Sequence, residues 1–297
     1  MKNDERIYFL TGDLGFHVLE KIEKDFSKRF INVGIAEQNM IGIAAGLALS
    51  GKKVYVYSII PFVTMRCFEQ IRDDLCYHDL DVTIIGVGSG LSYGILSGTH
   101  FALEDIAILR SLPNMTIFSP ADEIEASQGI RAFNNYAHPI YMRIGKSIEP
   151  QIYKDSYELR IGKSVVLNKG KDIVIFTTGS ISHEVLKSAH LLKIQNNIDV
   201  MVINIHTIKP LEIKRIKEFI KDKKIIVSVE EHGLIGGLGS IILEIFSDNY
   251  INRNILRIGT KDHFIKEIGT QAYLRKILHL DANGIYDQII NYLHNEK

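Results

Sequence analysis

Short runs rich in β-branched and aromatic residues alternate along this chain with longer stretches of helical spacing. In the first half the runs Phe30–Val33, Val54–Tyr57, Val82–Val87, Thr116–Ser119 and Ile140–Ile144 predict strands. Helices fit between them over Glu37–Ser50, Thr64–His78 and Asp122–Asn135. Asp122, followed three residues later by Glu125, reads as a capping box at the last of these. In the second half, strands are expected at Ile173–Thr178, Val200–Asn204, Ile225–Val229 and Ile255–Ile258. The helices there fall at His183–Gln195, Leu211–Asp222, Leu238–Phe246 and Ala272–Leu278. Ile213, Ile216, Phe219 and Ile220 share one helical face.

This alternation predicts an α/β protein of two tandem domains, each with a mainly parallel sheet flanked by helices. The looser stretch from Gly145 to about Gly162, which holds Pro150 and scattered charge, marks the boundary. Domains are expected at 1–150 and 166–297, with a linker at 151–165. A length of 297 residues suits two domains.

Charge narrows the partners. Lysine plus arginine (35) balance aspartate plus glutamate (35), so nothing electrostatic favours nucleic acid or an anionic membrane. No apolar run approaches the ~18–20 residues that span a bilayer, and the first residues lack a signal-peptide core. The two cysteines, Cys67 and Cys76, lie nine apart in one predicted helix, beyond disulfide reach. Free thiols of a cytoplasmic, reducing compartment are the expectation.

Glu37 follows a predicted strand and opens a helix of small and apolar residues. Gly42 and Gly46, four apart, share a face on which a second helix or subunit could approach closely. A glutamate at a helix start is also favoured simply by the helix dipole.

The run Gly34-Ile35-Ala36-Glu37-Gln38-Asn39 resembles the catalytic glutamate segment of the transketolase family, which includes 1-deoxyxylulose-5-phosphate synthase. The likeness extends over nearly the whole chain. It implies thiamine diphosphate as cofactor, with Glu37 hydrogen-bonded to a ring nitrogen of its aminopyrimidine and so promoting deprotonation of the thiazolium carbon. Burial should then raise the pKa of that glutamate. By the same resemblance Asp13, in Thr11-Gly12-Asp13-Leu14-Gly15, lies near the cofactor and the subunit interface. The stretch Tyr57 to Phe62 occupies the place of the stacking aromatics, with Ile59 at one usual aromatic position and Phe62 and Tyr57 as the neighbouring candidates. His100, in the Thr99-His100 loop, would reach the reacting carbon and move protons. Arg143, at the end of a strand, would bind a substrate phosphate or carboxylate. Core packing, a loop cap and a surface ion pair are the plainer roles for Phe62, Asp13 and Arg143. Glu230-Glu231-His232-Gly233 and Gly236-Gly237-Leu238-Gly239-Ser240 match the family's carboxyl-terminal domain, where the glycines could feed a helix amino end able to hold an anion. The tail Gly269-Thr270-Gln271 with Leu280-Asp281-Ala282-Asn283-Gly284-Ile285 is most similar to deoxyxylulose phosphate synthase.

Departures from the family pattern are equally informative. The Gly-Asp-Gly run that grips the diphosphate and its Mg²⁺ is missing. The resemblance therefore implies a partner, an N-terminal transketolase-like subunit that carries this motif and the metal. An α₂β₂ heterotetramer with a β₂ contact is the expected assembly, and no metal ligand is expected in this chain. Ten residues precede Thr11, where relatives have a helix. Leu96 stands where relatives carry an acidic residue that reads a substrate hydroxyl, and Gly88 replaces a histidine. These two changes put the ordinary ketose phosphates in doubt and favour a modified sugar or pyruvate as donor, with two-carbon ketol transfer between sugars the leading expectation. A pyruvate-decarboxylating synthase subunit is the alternative reaction, and a non-catalytic scaffold the alternative of another class.

Overall fold

The computed structural model describes residues 1–147 and 149–295. The chain begins with β1 (Ile7–Thr11), α1 (Glu20–Asp25), β2 (Phe30–Asn32), α2 (Glu37–Leu49) and β3 (Lys53–Ile59). Two short helices follow, α3 (Ile60–Val63) and α4 (Phe68–Gln70), the second running into a π-helical turn at Ile71–Cys76. Then come β4 (Val82–Val87), a 3₁₀ turn (Gly94–Thr99), α5 (Asp105–Leu109), β5 (Thr116–Phe118), α6 (Glu123–Phe133) and β6 (Ile140–Ile144). The second half comprises β7 (Val165–Asn168), β8 (Ile173–Thr177), α7 (Ser182–Asn196), β9 (Val200–Asn204), β10 (Thr207–Lys209), α8 (Ile213–Ile220) and β11 (Ile225–Gly233). It ends with α9 (Leu238–Asp248), β12 (Leu256–Thr260), α10 (Gln271–Ile277) and α11 (Ala282–Asn295).

Two sheets result, with orders β10-β5-β6-β4-β3-β1-β2 and β12-β11-β8-β9-β7. Both are parallel except at one edge, where β10 runs antiparallel to β5 and β7 to β9. The central strands read as near-continuous apolar runs because helices cover both faces. β10 belongs in sequence to the second half yet closes the first sheet. One apolar core accordingly runs from Met40, Val56 and Ile84 through to Phe176, Ile216 and Ile242.

The expected Thr64–His78 helix is broken. Pro61 sits in the first turn of α3, and the chain leaves the helix at Thr64 before restarting at Phe68. Cys67 and Cys76 are free and buried, at the two ends of the restarted helical segment. Strands β1, β7 and β10 and helices α1, α3, α5 and α11 lie outside the elements the sequence pattern predicts. β7 and β10 are four- and three-residue edges that exist only because a neighbouring strand pairs with them.

The capping expectation holds with a change of partner. Asp122 accepts the Glu125 N–H at 2.9 Å, but Glu125 Oε2 accepts from Ala121 N (2.7 Å). The segment after β6 is then strapped to α6. Asp122 Oδ2 accepts from Ile152 N (2.8 Å) and Tyr153 N (2.9 Å), and Glu125 Oε1 accepts from Tyr157 Oη (2.6 Å) and Asn204 Nδ2 (2.9 Å). No helix among the described residues is long and apolar enough to cross a membrane.

Candidate active site

Residues that follow the carboxyl ends of β1, β2 and β3 meet at the first turn of α2, where open α/β sheets place their ligands. Glu37 is the first residue of α2, and its side chain is 2% exposed. Met40, Ile41, Ala44 and Ala45 are buried in the same helix and fix its roll. Gly42 and Gly46 face away, exposed, and a methyl group added at either would meet nothing within 4 Å.

Glu37 Oε2 accepts from Arg66 Nη1 at 2.8 Å, and Ser58 Oγ donates to Oε1 at 3.4 Å. The Arg66 guanidinium carbon also lies 4.7 Å from the centroid of the Phe62 ring. The turn that aims these two side chains is tied three ways. Thr64 Oγ1 donates to Ile60 O (2.7 Å), Cys67 Sγ to Phe62 O (3.3 Å) and Gln38 Nε2 to Arg66 O (3.1 Å). Burial pushes the Cys67 thiol up to about 12, so it stays protonated and donates.

The aromatic chain continues from Phe62 to the His100 ring, 5.2 Å away edge to face, and from His100 to Tyr93 at 5.6 Å. Thr99 Oγ1 contacts His100 Nδ1 at 2.9 Å. Burial lowers the His100 pKa below its ordinary value, which favours the neutral ring. Three residues before it, Ser97 has φ 64° and ψ −165°, a conformation that glycine alone adopts freely. Lys146 Nζ lies 5.0 Å from the Tyr93 ring centroid. The Tyr93 ring packs so closely on Gly88 (φ +95°) that any Cβ there would overlap it. Leu96 is exposed on the same loop.

Asp13 sits beside Glu37 through its neighbour Gly12, whose added Cβ would lie 3.8 Å from Glu37 Cγ. It is exposed, at φ +57°, and exchanges hydrogen bonds with Asn32. Ile59 is half-buried at the end of β3. Tyr57 is on the strand face opposite Ser58, packed against Phe9 and Leu19 with the rest of that apolar cluster.

Arg143 corrects an expectation. It is 3% exposed and turned inward, with Nε donating to Asp105 Oδ2 (2.7 Å) and Nη2 to Ala102 O (2.8 Å) and Glu231 O (3.0 Å). A guanidinium committed to these acceptors is a structural tie between the two halves, not an anion site. The anion-binding helix end in the second half is likewise taken. Glu230 fills the amino end of α9, accepting from Leu238 N (2.6 Å) and Gly239 N (2.9 Å). Burial raises the Glu230 pKa to about 7 in spite of those donors.

Thus Glu37, Phe62 and His100 come together, Asp13 borders them, Tyr57 approaches them through Tyr93 and Gly15, and Arg143 is turned inward. Arg66, Ser58, Tyr93 and Lys146 were missed. Arg66 had a signal, as the single charged residue between Lys53 and Glu69 in an otherwise apolar stretch.

A flat group bearing N–H donors is what this slot already accommodates. The Arg66 guanidinium lies against Phe62 while donating to Glu37, the two contacts an aminopyrimidine ring would need. The residues therefore fit thiamine diphosphate at its pyrimidine end.

Comparison with known proteins agrees. Residues 1–150 match the family model "Transketolase, pyrimidine binding domain", and residues 162–285 match "Transketolase, C-terminal domain". An apulose-4-phosphate transketolase subunit of Actinobacillus succinogenes is 37% identical over 89% of this chain and 85% of its own length. The subunit of the same name from Phocaeicola vulgatus is 35% identical over 86% of this chain and 83% of its own. A solved split-gene transketolase, described as an inactive β4 tetramer, superposes with a TM-score of 0.87 at 30% identity, over 98% of this chain and 92% of that one.

Proposed function

The chain belongs to the transketolase family, and from that premise we propose that it is the subunit supplying the catalytic carboxyl and the loop histidine of a thiamine-diphosphate-dependent ketol transfer. The observation that carries this reading is the buried Glu37 with a planar N–H donor held against both it and Phe62.

When bound, thiamine diphosphate supplies a nucleophilic carbon and a sink for the electrons released as the two-carbon unit is cut from its sugar. Glu37 Oε2 would pair with the pyrimidine ring nitrogen, and Arg66 would have to turn aside to release that oxygen. Ser58 holds the other carboxyl oxygen, and Phe62 presents its ring to the pyrimidine. Neutral His100, set between Phe62 and Tyr93, takes a proton from a substrate hydroxyl. Arg66 and Lys146 are exposed cations on either side of this histidine, suited to the anionic end of a sugar phosphate.

Leu96 offers no acceptor to a donor hydroxyl, and Tyr93 fills the space over Gly88. Both features favour a modified sugar, in keeping with relatives named for apulose 4-phosphate. We assign the diphosphate and Mg²⁺ to an N-terminal partner subunit in an α₂β₂ enzyme of the cytoplasm. The name of the β-only neighbour, inactive as a tetramer, supports a requirement for that partner.

The test is reconstitution with the partner subunit, thiamine diphosphate and Mg²⁺, followed by a donor screen. Ketose consumption without CO₂ release is expected, and CO₂ from pyruvate would replace ketol transfer with decarboxylative synthesis. Glu37→Ala should lower turnover by about 10²–10⁴-fold. A fully active Glu37→Ala complex would leave the chain a scaffold.

A further inference from the structure

The loop carrying His100 leaves the first sheet at Gly88 and rejoins the body at Leu103. Its own neck is closed by Ala102 N–H donating to Gly90 O at 2.9 Å. The second half of the chain grips the same neck. Leu91 N–H donates to Glu231 Oε1 at 2.7 Å, and Gly233 N–H donates to Leu103 O at 2.8 Å. Arg143 Nη2 joins Ala102 O (2.8 Å) to the Glu231 carbonyl (3.0 Å). Further out, Gly94 packs on the Gly269 carbonyl with no room for a side chain.

Glu231 lies at the centre of these contacts. Its side chain is 4% exposed and is held from the other side by two residues of α10. Gln271 Nε2 donates to Oε1 at 2.8 Å, and Arg275 Nε donates to Oε2. Arg275 is itself tied to Ser180 Oγ at 3.0 Å. A carboxylate accepting a backbone N–H makes a charge-assisted bond, stronger than a neutral one. The loop has little regular structure of its own and holds a strained Ser97, so its placement depends on such external ties.

We propose that Glu231 is a positioning residue for His100: fixed by Arg275 and Gln271, it sets where the neck of the loop stands against the cleft. The second half of the chain thereby takes part in catalysis without touching substrate. This rests on the role given to His100 under the proposed function. Misplacing a reacting group by about 1 Å can cost on the order of 10²-fold in rate.

Two variants disturb the contact from opposite sides. Glu231→Gln keeps the shape and an acceptor but loses the charge, and Gly90→Ala places a methyl against the Glu231 carboxylate. In the reconstituted complex each should lower kcat by about 10–100-fold while leaving the thiamine diphosphate Kd within about 2-fold. In a His100→Asn background the same changes should cost nothing further, because both act through one group. Loss that persists in full in that background would make Glu231 merely structural and overturn the proposal. A second readout needs no activity. Amide hydrogen exchange at Leu91 and Ala102 should quicken in Glu231→Gln, with protection of β3 and β8 unchanged. Unchanged exchange at the neck would also overturn it. An inactive wild-type complex with a quickened neck would instead fault the proposed function and leave the positioning contact standing.

Discussion

Arg66 Nη1 lies 2.8 Å from Glu37 Oε2, so a half-exposed guanidinium caps a carboxylate that is otherwise sealed from water. The pair links the first residue of α2 to the turn between α3 and α4, two elements that border the same slot. It also uses the oxygen a cofactor ring would need.

Removing the cap should therefore separate stability from binding. In Arg66→Ala, Glu37 keeps only the 3.4 Å contact from Ser58, and the isolated chain should lose about 1–3 kcal/mol. Thermal melts of the isolated chain would read that loss. Thiamine diphosphate affinity of the complex should be unchanged or tighter, since the competing donor is gone. Cofactor binding weakened tenfold would show that Arg66 itself grips the ligand.

His100 carries a pH signature. Burial lowers its pKa below the ordinary 6.5, so the neutral form that accepts a proton persists to more acidic pH than in an exposed histidine. The acid limb of kcat/KM should lie below 6.5 and vanish in His100→Asn. An acid limb unchanged in that variant would assign the titration elsewhere.

Leu96 bears on specificity. It is 43% exposed on the histidine loop. Leu96→Asp restores an acceptor there and should raise kcat/KM by about 10-fold for donors with an unmodified hydroxyl. The comparison is between unmodified and modified ketose phosphates. Equal effects on both would place residue 96 outside the substrate's reach.

Two buried histidines set the acid stability of the joint between the sheets. Burial lowers His232 and His206 to about 4. His232 donates from Nδ1 to the Gly233 carbonyl (2.8 Å), and Asp105, Glu230 and Arg143 surround it. The unfolded chain binds these protons near 6.5 and the folded chain only near 4, so the unfolded state holds more protons between. Stability from the neutral rings is thus complete above 6.5 and is lost as pH falls towards 4. The loss is of the order of 3 kcal/mol per ring at its limit. Glu230, raised to about 7, works in the opposite sense over the same window, so the histidine part is read by difference: between pH 7 and pH 5 the urea midpoint of His206→Gln should fall less than that of the wild type. An equal fall in that variant would exclude His206 as its source.

Local pattern determined much of this protein. Buried parallel strands must be apolar along their length, so Val82–Val87, Ile140–Ile144 and Val200–Asn204 were legible to the residue. Glu37 and His100 stand out in the sequence because each sits in a distinctive local run. Tertiary structure alone decided where long side chains turn. Arg143 occupies the expected strand end, yet buried Asp105, thirty-eight positions away, draws it inward. Arg66 reaches Glu37 only because Pro61 and the break after Val63 redirect the chain. β10 became a strand of the first sheet only because β5 presented an open edge. Periodicity reports which face of an element is apolar. The partner of a charge is fixed by distances that exist only once the elements pack, and that is why the ion pairs around this site could not be read in advance.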